Sequence, residues 1–179
     1  MIYVMLAPGF EEIEALAFVD ILRRADIDVN TVSIDNTPTV TGSHNITIVA
    51  DVNLKDIKSI ADGIVLPGGL PGTYNLQNNE TVTNMLQTYN NSGKIVAAIC
   101  AAPSVLGQLE LLKNKYATCY PSFEEKLIGA NVISDRVVAD GNIITSRGAG
   151  TAHDFAFKFV EILKGKDKAK ELRSSMLYD

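Results

Sequence analysis

Short apolar runs rich in Val, Ile and Leu recur along the chain and alternate with segments of helical period. Gly, Pro or Asp bounds each run, and polar positions hardly interrupt it, which is typical of strands buried on both faces of a sheet. These runs predict strands at residues 2–6, 29–34, 63–69, 94–100 and 142–146.

The segments between these strands predict helices. In "EEIEALAFVDILRRA", we expect Leu16, Ala17, Ile21 and Leu22 to form most of an apolar face. The predicted helices cover residues 11–25, 79–93, 102–111 and 152–165. Strands that alternate with helices indicate a mainly parallel sheet covered by helices on both sides, so the predicted fold class is a three-layer α/β sandwich.

Two segments depart from this alternation. Residues 37–51 carry two alternating runs about "GSHN", and residues 132–146 carry another pair about "DG". Both patterns predict β-hairpins, which we expect as antiparallel additions to the sandwich. The chain has no internal repeat and no linker-like stretch, so we expect one domain over residues 1–179.

Composition narrows the class of protein. The 179 residues are 46% hydrophobic and 21% charged, with a net charge of −5 and no dense basic block, which argues against a nucleic-acid partner. No run is long enough to span a membrane, and the apolar N-terminus lacks the basic region of a signal peptide. Two cysteines make no disulfide framework, so we expect a cytoplasmic protein.

Cys100 lies where a predicted strand passes into a helix, in "VAAICAAPSVLG". Such a turn raises a side chain at the carboxyl edge of the sheet, and Ala98, Ala101 and Ala102 leave the room that a nucleophile elbow needs. A helix N-terminus would lower the pKa of the thiol. Two readings stay open at this point: a reactive nucleophile, or a small residue of the core.

Two further motifs follow neighbouring predicted strands. "APGFEEIEA" places Glu11, Glu12 and Glu14 in the first turn of a helix, where acids often do no more than stabilise the helix through its dipole. "VLPGG" places Gly68 and Gly69 after a strand, where they offer N–H groups to an anionic oxygen or simply make a tight turn. If the strands that carry the three motifs are adjacent, the motifs meet at one edge of the sheet.

Four motifs together resemble the ThiJ/PfpI superfamily and, within it, the Parkinson-disease protein deglycase subfamily and its bacterial relatives. They are "GFEEIEA", "DGIVLPGG", "AAICAAPSVL" and "ITSRGAGTAHDFA", and the similarity runs from Ile2 to about Gly165. The resemblance implies a flavodoxin-like sandwich, a homodimer, and chemistry that needs no cofactor. With only two histidines and two cysteines, we expect no metal site.

The resemblance also implies roles for particular residues. It places the reactive cysteine on Cys100 and, among the three acids, the protonated partner of the sulfur on Glu14. It places the backbone that holds an anionic oxygen on Gly68, Gly69 and Ala101. A carboxyl buried beside a thiolate should have a raised pKa, so it can donate and return a proton.

One position departs from the pattern of the family. Where some members carry a histidine near the cysteine, this chain reads "TCYP", so Tyr120 takes that place and a Cys-His-acid triad is not expected. Tyr120 either donates a hydrogen bond in the pocket or packs there. His44 is either a dimer contact close to the site or an exposed turn residue. We expect Cys119 to face away from the pocket and to form no disulfide.

These residues imply a cysteine-dependent enzyme that acts on reactive dicarbonyls such as methylglyoxal, or on their early adducts with amines and thiols. The expected partners are therefore a small aldehyde or a glycated protein or thiol, and the expected role is protection from carbonyl and oxidative stress. Two alternatives use the same cysteine: a stress protein that senses oxidation, or a redox-dependent chaperone.

Overall fold

The structure is a computed structural model that describes residues 1–178. Its eleven strands, in chain order, are β1 (Ile2–Leu6), β2 (Val29–Ser33), β3 (Thr39–Thr41), β4 (Thr47–Val49), β5 (Val52–Asn53), β6 (Gly63–Leu66), β7 (Ile95–Ile99), β8 (Tyr116–Ala117), β9 (Asn131–Val132), β10 (Val137–Asp140) and β11 (Ile143–Ser146). Seven of them form the central sheet in the order β10-β11-β7-β6-β1-β2-β5. Within this sheet only the β10–β11 pair is antiparallel, as expected for a short hairpin at a sheet edge.

Helices cover both faces of this sheet. They are α1 (Glu12–Arg24), α2 (Gly72–Gln77), α3 (Glu80–Asn91), α4 (Pro103–Gln108), α5 (Ala152–Lys164) and α6 (Lys166–Ser175). One apolar cluster lies between the sheet and α1, α5 and α6, and a second lies between the opposite face and α2, α3 and α4. The predicted three-layer α/β sandwich is therefore confirmed. No helix within residues 1–178 combines the length and apolarity needed to cross a membrane.

The strand predictions agree with the structure because strands buried on both faces leave a strong apolar signal. All five predicted runs contain a strand, and both predicted hairpins are present, as β3–β4 and β10–β11. β1, β6 and β7 are neighbours, so the three motifs that follow them share one edge of the sheet.

Two helices escaped prediction. α2 follows "GGLP", a sequence that indicates a turn. α6 is so polar that only its Ala169 and Leu172 are buried. A short helix and a polar helix carry little periodic apolar signal, because most of their residues do not face the core.

The predicted apolar face of α1 is partly wrong. Leu16 is exposed and Ala17 only half-buried, whereas the other two predicted members are buried. The helix instead packs through Phe18, whose ring meets Phe159 of α5 edge-on at a centroid distance of 4.7 Å. Because two positions along a helix are about 200° apart, burying Phe18 turns Leu16 outward.

Candidate active site

The turn after β7 holds Cys100 in an uncommon backbone conformation. Its φ is 65°, in the left-handed region that non-glycine residues seldom adopt. The Cys100 N–H donates to Ser146 O at 3.0 Å, and its carbonyl accepts the Tyr120 N–H at 2.8 Å. These two bonds maintain the turn, which places the half-buried thiol at the carboxyl edge of the sheet, as the strand-turn-helix motif predicts.

Glu14 approaches the thiol from the first turn of α1. It is 1% exposed, and its Oε2 accepts the Gly68 N–H at 2.8 Å. Its Oε1 has no hydrogen-bond partner within residues 1–178. Burial, the largest influence, raises the pKa of the Glu14 carboxyl to about 7, against the lowering effects of the Gly68 N–H and of Cys100. The carboxyl therefore keeps its proton over much of the range below neutral pH.

The pKa of Cys100 departs from our expectation. Burial, followed by the negative charge of Glu14, raises the pKa of the thiol to about 12. The Ala101 and Gly69 N–H groups lower it, but less strongly. The predicted lowering of the pKa by a helix N-terminus is therefore wrong, because burial and the charge of Glu14 outweigh the N–H groups that precede α4. Protonation of Glu14 removes the second cause of the raised pKa and therefore favours the thiolate.

Gly68 is the contact point between the acid and the thiol. A Cβ built on Gly68 would lie 2.6 Å from Cys100 Cβ and 2.8 Å from Glu14 Oε2, so no larger residue fits without displacing them. Its N–H already donates to Glu14, which differs from the predicted role of binding a substrate oxygen. The backbone of Gly69 and Ala101 remains beside the sulfur.

Gly148 lies close to the Cys100 sulfur and leaves it accessible. A Cβ built there would lie 3.8 Å from Cys100 Sγ and 3.2 Å from Tyr120 Cδ2, so its absence leaves space between the ring and the sulfur. A cavity of about 510 Å³ adjoins this space, and its walls include Tyr120, Arg136 and Arg147. Gly148 was not predicted as a site residue, although the "SRGAG" motif that ends a predicted strand was a usable signal.

The remaining predicted residues lie at different distances from the chemistry. Tyr120 is 50% exposed, borders the cavity with its ring, and makes no side-chain hydrogen bond within the described residues. Cys119 is buried, and both cysteines are free. His44 lies in the β3–β4 turn, where its Nδ1 is 2.9 Å from Glu12 Oε2. Within one chain, His44 therefore contacts the start of α1 and does not line the thiol pocket.

The chain is similar in sequence to proteins of a known family. Residues 1–162 match the model of the DJ-1/PfpI family. Protein DJ-1 homolog A of Arabidopsis thaliana is 43% identical over 180 residues, which cover 98% of this chain but 46% of that protein. The chain thus spans less than half of that relative. Protein dj-1beta of Drosophila melanogaster is 40% identical over 177 residues, which cover 97% of this chain and 95% of that protein.

A third relative carries a name with a stated activity. It is the glutathione-independent glyoxalase DJR-1.2 of Caenorhabditis elegans, 36% identical over 165 residues, which cover 90% of this chain and 87% of that protein. Among solved structures, oxidized Toxoplasma gondii DJ-1 superposes with a TM-score of 0.94 at 35% identity, over 98% of this chain and 97% of that one.

Proposed function

Because the chain belongs to the DJ-1/PfpI family, as its four motifs predicted, we propose that it is a cysteine-dependent, cofactor-free enzyme. Its substrates would be reactive dicarbonyls such as methylglyoxal, or their early adducts with amines and thiols. The observation that carries the proposal is the pairing of Cys100, held at the sheet edge, with the buried carboxyl of Glu14. The glyoxalase name of the Caenorhabditis relative supports the same class of reaction.

The first step is addition of the sulfur to the aldehyde. The Cys100 thiol gives its proton to water, and the resulting thiolate forms a bond to the aldehyde carbon while the electron pair of the carbonyl bond moves to the oxygen. The Gly69 and Ala101 N–H groups stabilise that oxygen, and Glu14 donates its proton to give a neutral hemithioacetal. Donation leaves Glu14 as a carboxylate beside the new intermediate.

The second step moves hydrogen within the intermediate. The Glu14 carboxylate takes the proton from the former aldehyde carbon and returns it to the neighbouring carbon, while the hydroxyl proton of the hemithioacetal passes to the former ketone oxygen, so a lactoyl thioester forms on Cys100. Water then hydrolyses the thioester to lactic acid and the thiol, and Glu14 regains a proton from the solvent. The net reaction is methylglyoxal plus water to lactic acid, which needs no external electron acceptor. With an adduct as substrate, the amine or thiol departs as the leaving group.

The test compares variants of the two cysteines and the acid. We expect Cys100→Ser to reduce methylglyoxal loss and lactate formation to the uncatalysed level, and Glu14→Gln to reduce them by about 100-fold or more. Cys119→Ser is the matched control and should retain wild-type rates, because Cys119 is buried and does not line the cavity. Equal rates for wild type and Cys100→Ser would contradict the proposal.

A second candidate function uses the same sulfur as an oxidation sensor. Two equivalents of peroxide would convert the thiol to a sulfinate, which the protonated Glu14 and the neighbouring N–H groups would bind. The oxidized state of the Toxoplasma relative favours this candidate. Mild peroxide should then add about 32 Da to the wild type and not to Cys100→Ser. An addition that persists in Cys100→Ser would contradict it.

We also propose that the enzyme is a cytoplasmic homodimer. Two free thiols suit a reducing compartment. Exposed apolar side chains lie on α1, at Ile13 and Leu16, and on the β3–β4 hairpin, at Ile46 and Val49. Leu16→Asp should therefore shift the mass in solution towards the monomer, as measured by light scattering. Ile162→Asp is the control, because Ile162 is exposed on a different helix, α5.

A further inference from the structure

The cavity beside the thiol is larger than methylglyoxal requires. Its volume is about 510 Å³, in the range of pockets that hold drug-sized ligands, whereas methylglyoxal is a three-carbon molecule. Gly148 belongs to the cavity wall, and a Cβ built there would lie 3.8 Å from Cys100 Sγ, so the cavity begins beside the sulfur. A substrate that binds at Cys100 therefore has room to extend into this space.

The walls of this cavity carry positive charge. Among the residues that the structure describes, those that line the cavity include Arg136 and Arg147 but no Asp or Glu. Arg136 pairs with Asp154, but Asp154 also pairs with Arg173, so one carboxylate is shared by two guanidinium groups. Arg147 pairs with no carboxylate within residues 1–178. An anion in the cavity would therefore meet uncompensated positive charge.

Arg147 keeps most of its hydrogen-bond donors free. Its one side-chain hydrogen bond within the described residues runs from Nη1 to Ser134 O, at 3.3 Å. The donors on Nε and Nη2 have no acceptor in that part of the chain. A guanidinium presents its donors in a planar fork that matches the two oxygens of a carboxylate. Because the side chain is half-buried, water satisfies these donors only in part.

Hydrogen bonds join the segment that carries Arg147 to the turn that carries the thiol. The Arg147 N–H donates to Arg136 O at 3.3 Å, and Ser146 Oγ donates to the same oxygen at 2.7 Å. Ser146 O in turn accepts the Cys100 N–H at 3.0 Å. The backbone of both arginines is therefore held in a fixed position relative to Cys100.

The cavity is separate from the surface that we propose for the homodimer. That surface comprises exposed side chains of α1 and of the β3–β4 hairpin. The cavity is lined by Arg136 and by residues 120–121 and 147–151, none of which belongs to α1 or to this hairpin. The proposed dimer contact therefore does not supply the missing negative charge.

We propose that Arg147, assisted by Arg136, forms a subsite for a carboxylate of the substrate. The inference rests on the proposed function and names its substrate class: adducts of a dicarbonyl with a small amine or thiol that bears a carboxylate, such as an amino acid. The dicarbonyl part binds at Cys100, and the carboxylate lies in the cavity. An adduct on a Lys side chain of a folded protein has no carboxylate at that position and gains nothing from the subsite.

The test compares two alkylating reagents of nearly equal size. Iodoacetate carries a carboxylate and iodoacetamide is neutral, and with each reagent the Cys100 thiolate forms a bond to the methylene carbon as iodide leaves. The ratio of the two rates cancels the thiolate fraction, so it reports how the site responds to the charge. We expect Arg147→Gln to lower the iodoacetate-to-iodoacetamide ratio about fivefold. Arg147→Lys should lower it less, because Lys keeps the charge.

Arg24→Gln is the matched control and should leave the ratio unchanged. Arg24 pairs with Asp20 on α1 and does not line the cavity. Rates are measured by intact mass in the Cys119→Ser chain, in which Cys100 is the one remaining thiol. A ratio that Arg147→Gln leaves unchanged would overturn the proposal. A loss of equal size in Arg147→Lys would also overturn it, because the side chain would then act through the shape of the loop and not through its charge.

Turnover then tests the substrate class. The methylglyoxal adducts of N-acetylcysteine and of its neutral amide are compared at equal free methylglyoxal. We expect kcat/KM to be about fivefold higher for the adduct with the carboxylate, and Arg147→Gln should abolish this preference. Equal values for the two adducts in the wild type would contradict the assignment. Failure of the enzymatic proposal would appear instead as equal turnover by wild type and Cys100→Ser, and it would leave the alkylation ratio unaffected.

Discussion

The buried carboxyl of Glu14 should make the stability of the protein depend on pH, and Glu14→Gln should abolish that dependence. The pKa of the carboxyl is about 7 in the native protein, against its ordinary value of 4.5 in the unfolded chain. Between these values the native state holds a proton that the unfolded state has lost. The free energy of unfolding therefore falls as the pH rises, by about 3 kcal/mol over the whole window.

The substitution preserves the shape of the side chain and an oxygen that can accept the Gly68 N–H, but it removes the titration. The measurement is urea unfolding followed by far-UV circular dichroism, because the chain has no Trp. Both proteins are compared from pH 4.5 to pH 8 at constant ionic strength. Groups that titrate in both proteins, such as His44, cancel in the difference.

The stability of wild type minus that of Glu14→Gln should fall by about 3 kcal/mol between pH 4.5 and pH 8. The decrease should be complete above the native pKa of about 7. A difference that stays constant with pH, or that grows as the pH rises, would refute the reasoning. Either outcome would mean that the native carboxyl is ionised throughout and is no proton donor at neutral pH.

Three other substitutions test contacts that stabilise the fold. Gly68→Ala should cost about 1–3 kcal/mol in urea unfolding, since the new methyl group overlaps the acid and the thiol, whereas Gly150→Ala meets no atom within 4 Å and should be neutral. Phe159→Ala should cost about 3–5 kcal/mol in the same assay, because it removes the ring that packs against Phe18. Asn79→Ala should lower the free energy of unfolding by about 1 kcal/mol, because its side chain caps α3 with a 3.1 Å hydrogen bond.

Local sequence patterns were sufficient to predict much of the fold. Strands buried on both faces are apolar throughout, and turns need Gly, Pro or Asp, so strand positions and both hairpins were predictable. The buried face of α1 was not predictable, because Leu16 and Phe18 are both apolar and only the position of α5 decides which of them is covered. The polar helix α6 was missed for a related reason: it buries only two side chains.

At the site, sequence motifs predicted which residues meet, but not how they interact. The strand-turn-helix pattern placed Cys100 at the sheet edge, and the family resemblance selected Glu14 among three acids. The engagement of the Gly68 N–H by Glu14, the opening at Gly148 and the contact of His44 with Glu12 all join residues far apart in the chain. No local pattern encodes such contacts.

The sequence by itself determined the alternation of strands and helices, the family and the place of Cys100 between a strand and a helix. Only the tertiary structure decided the protonation of the site. A pKa depends on burial and on the distance to other charges, and both arise when separate segments pack together. The same packing raises the pKa of Cys100, where the local motif alone predicted a lower value.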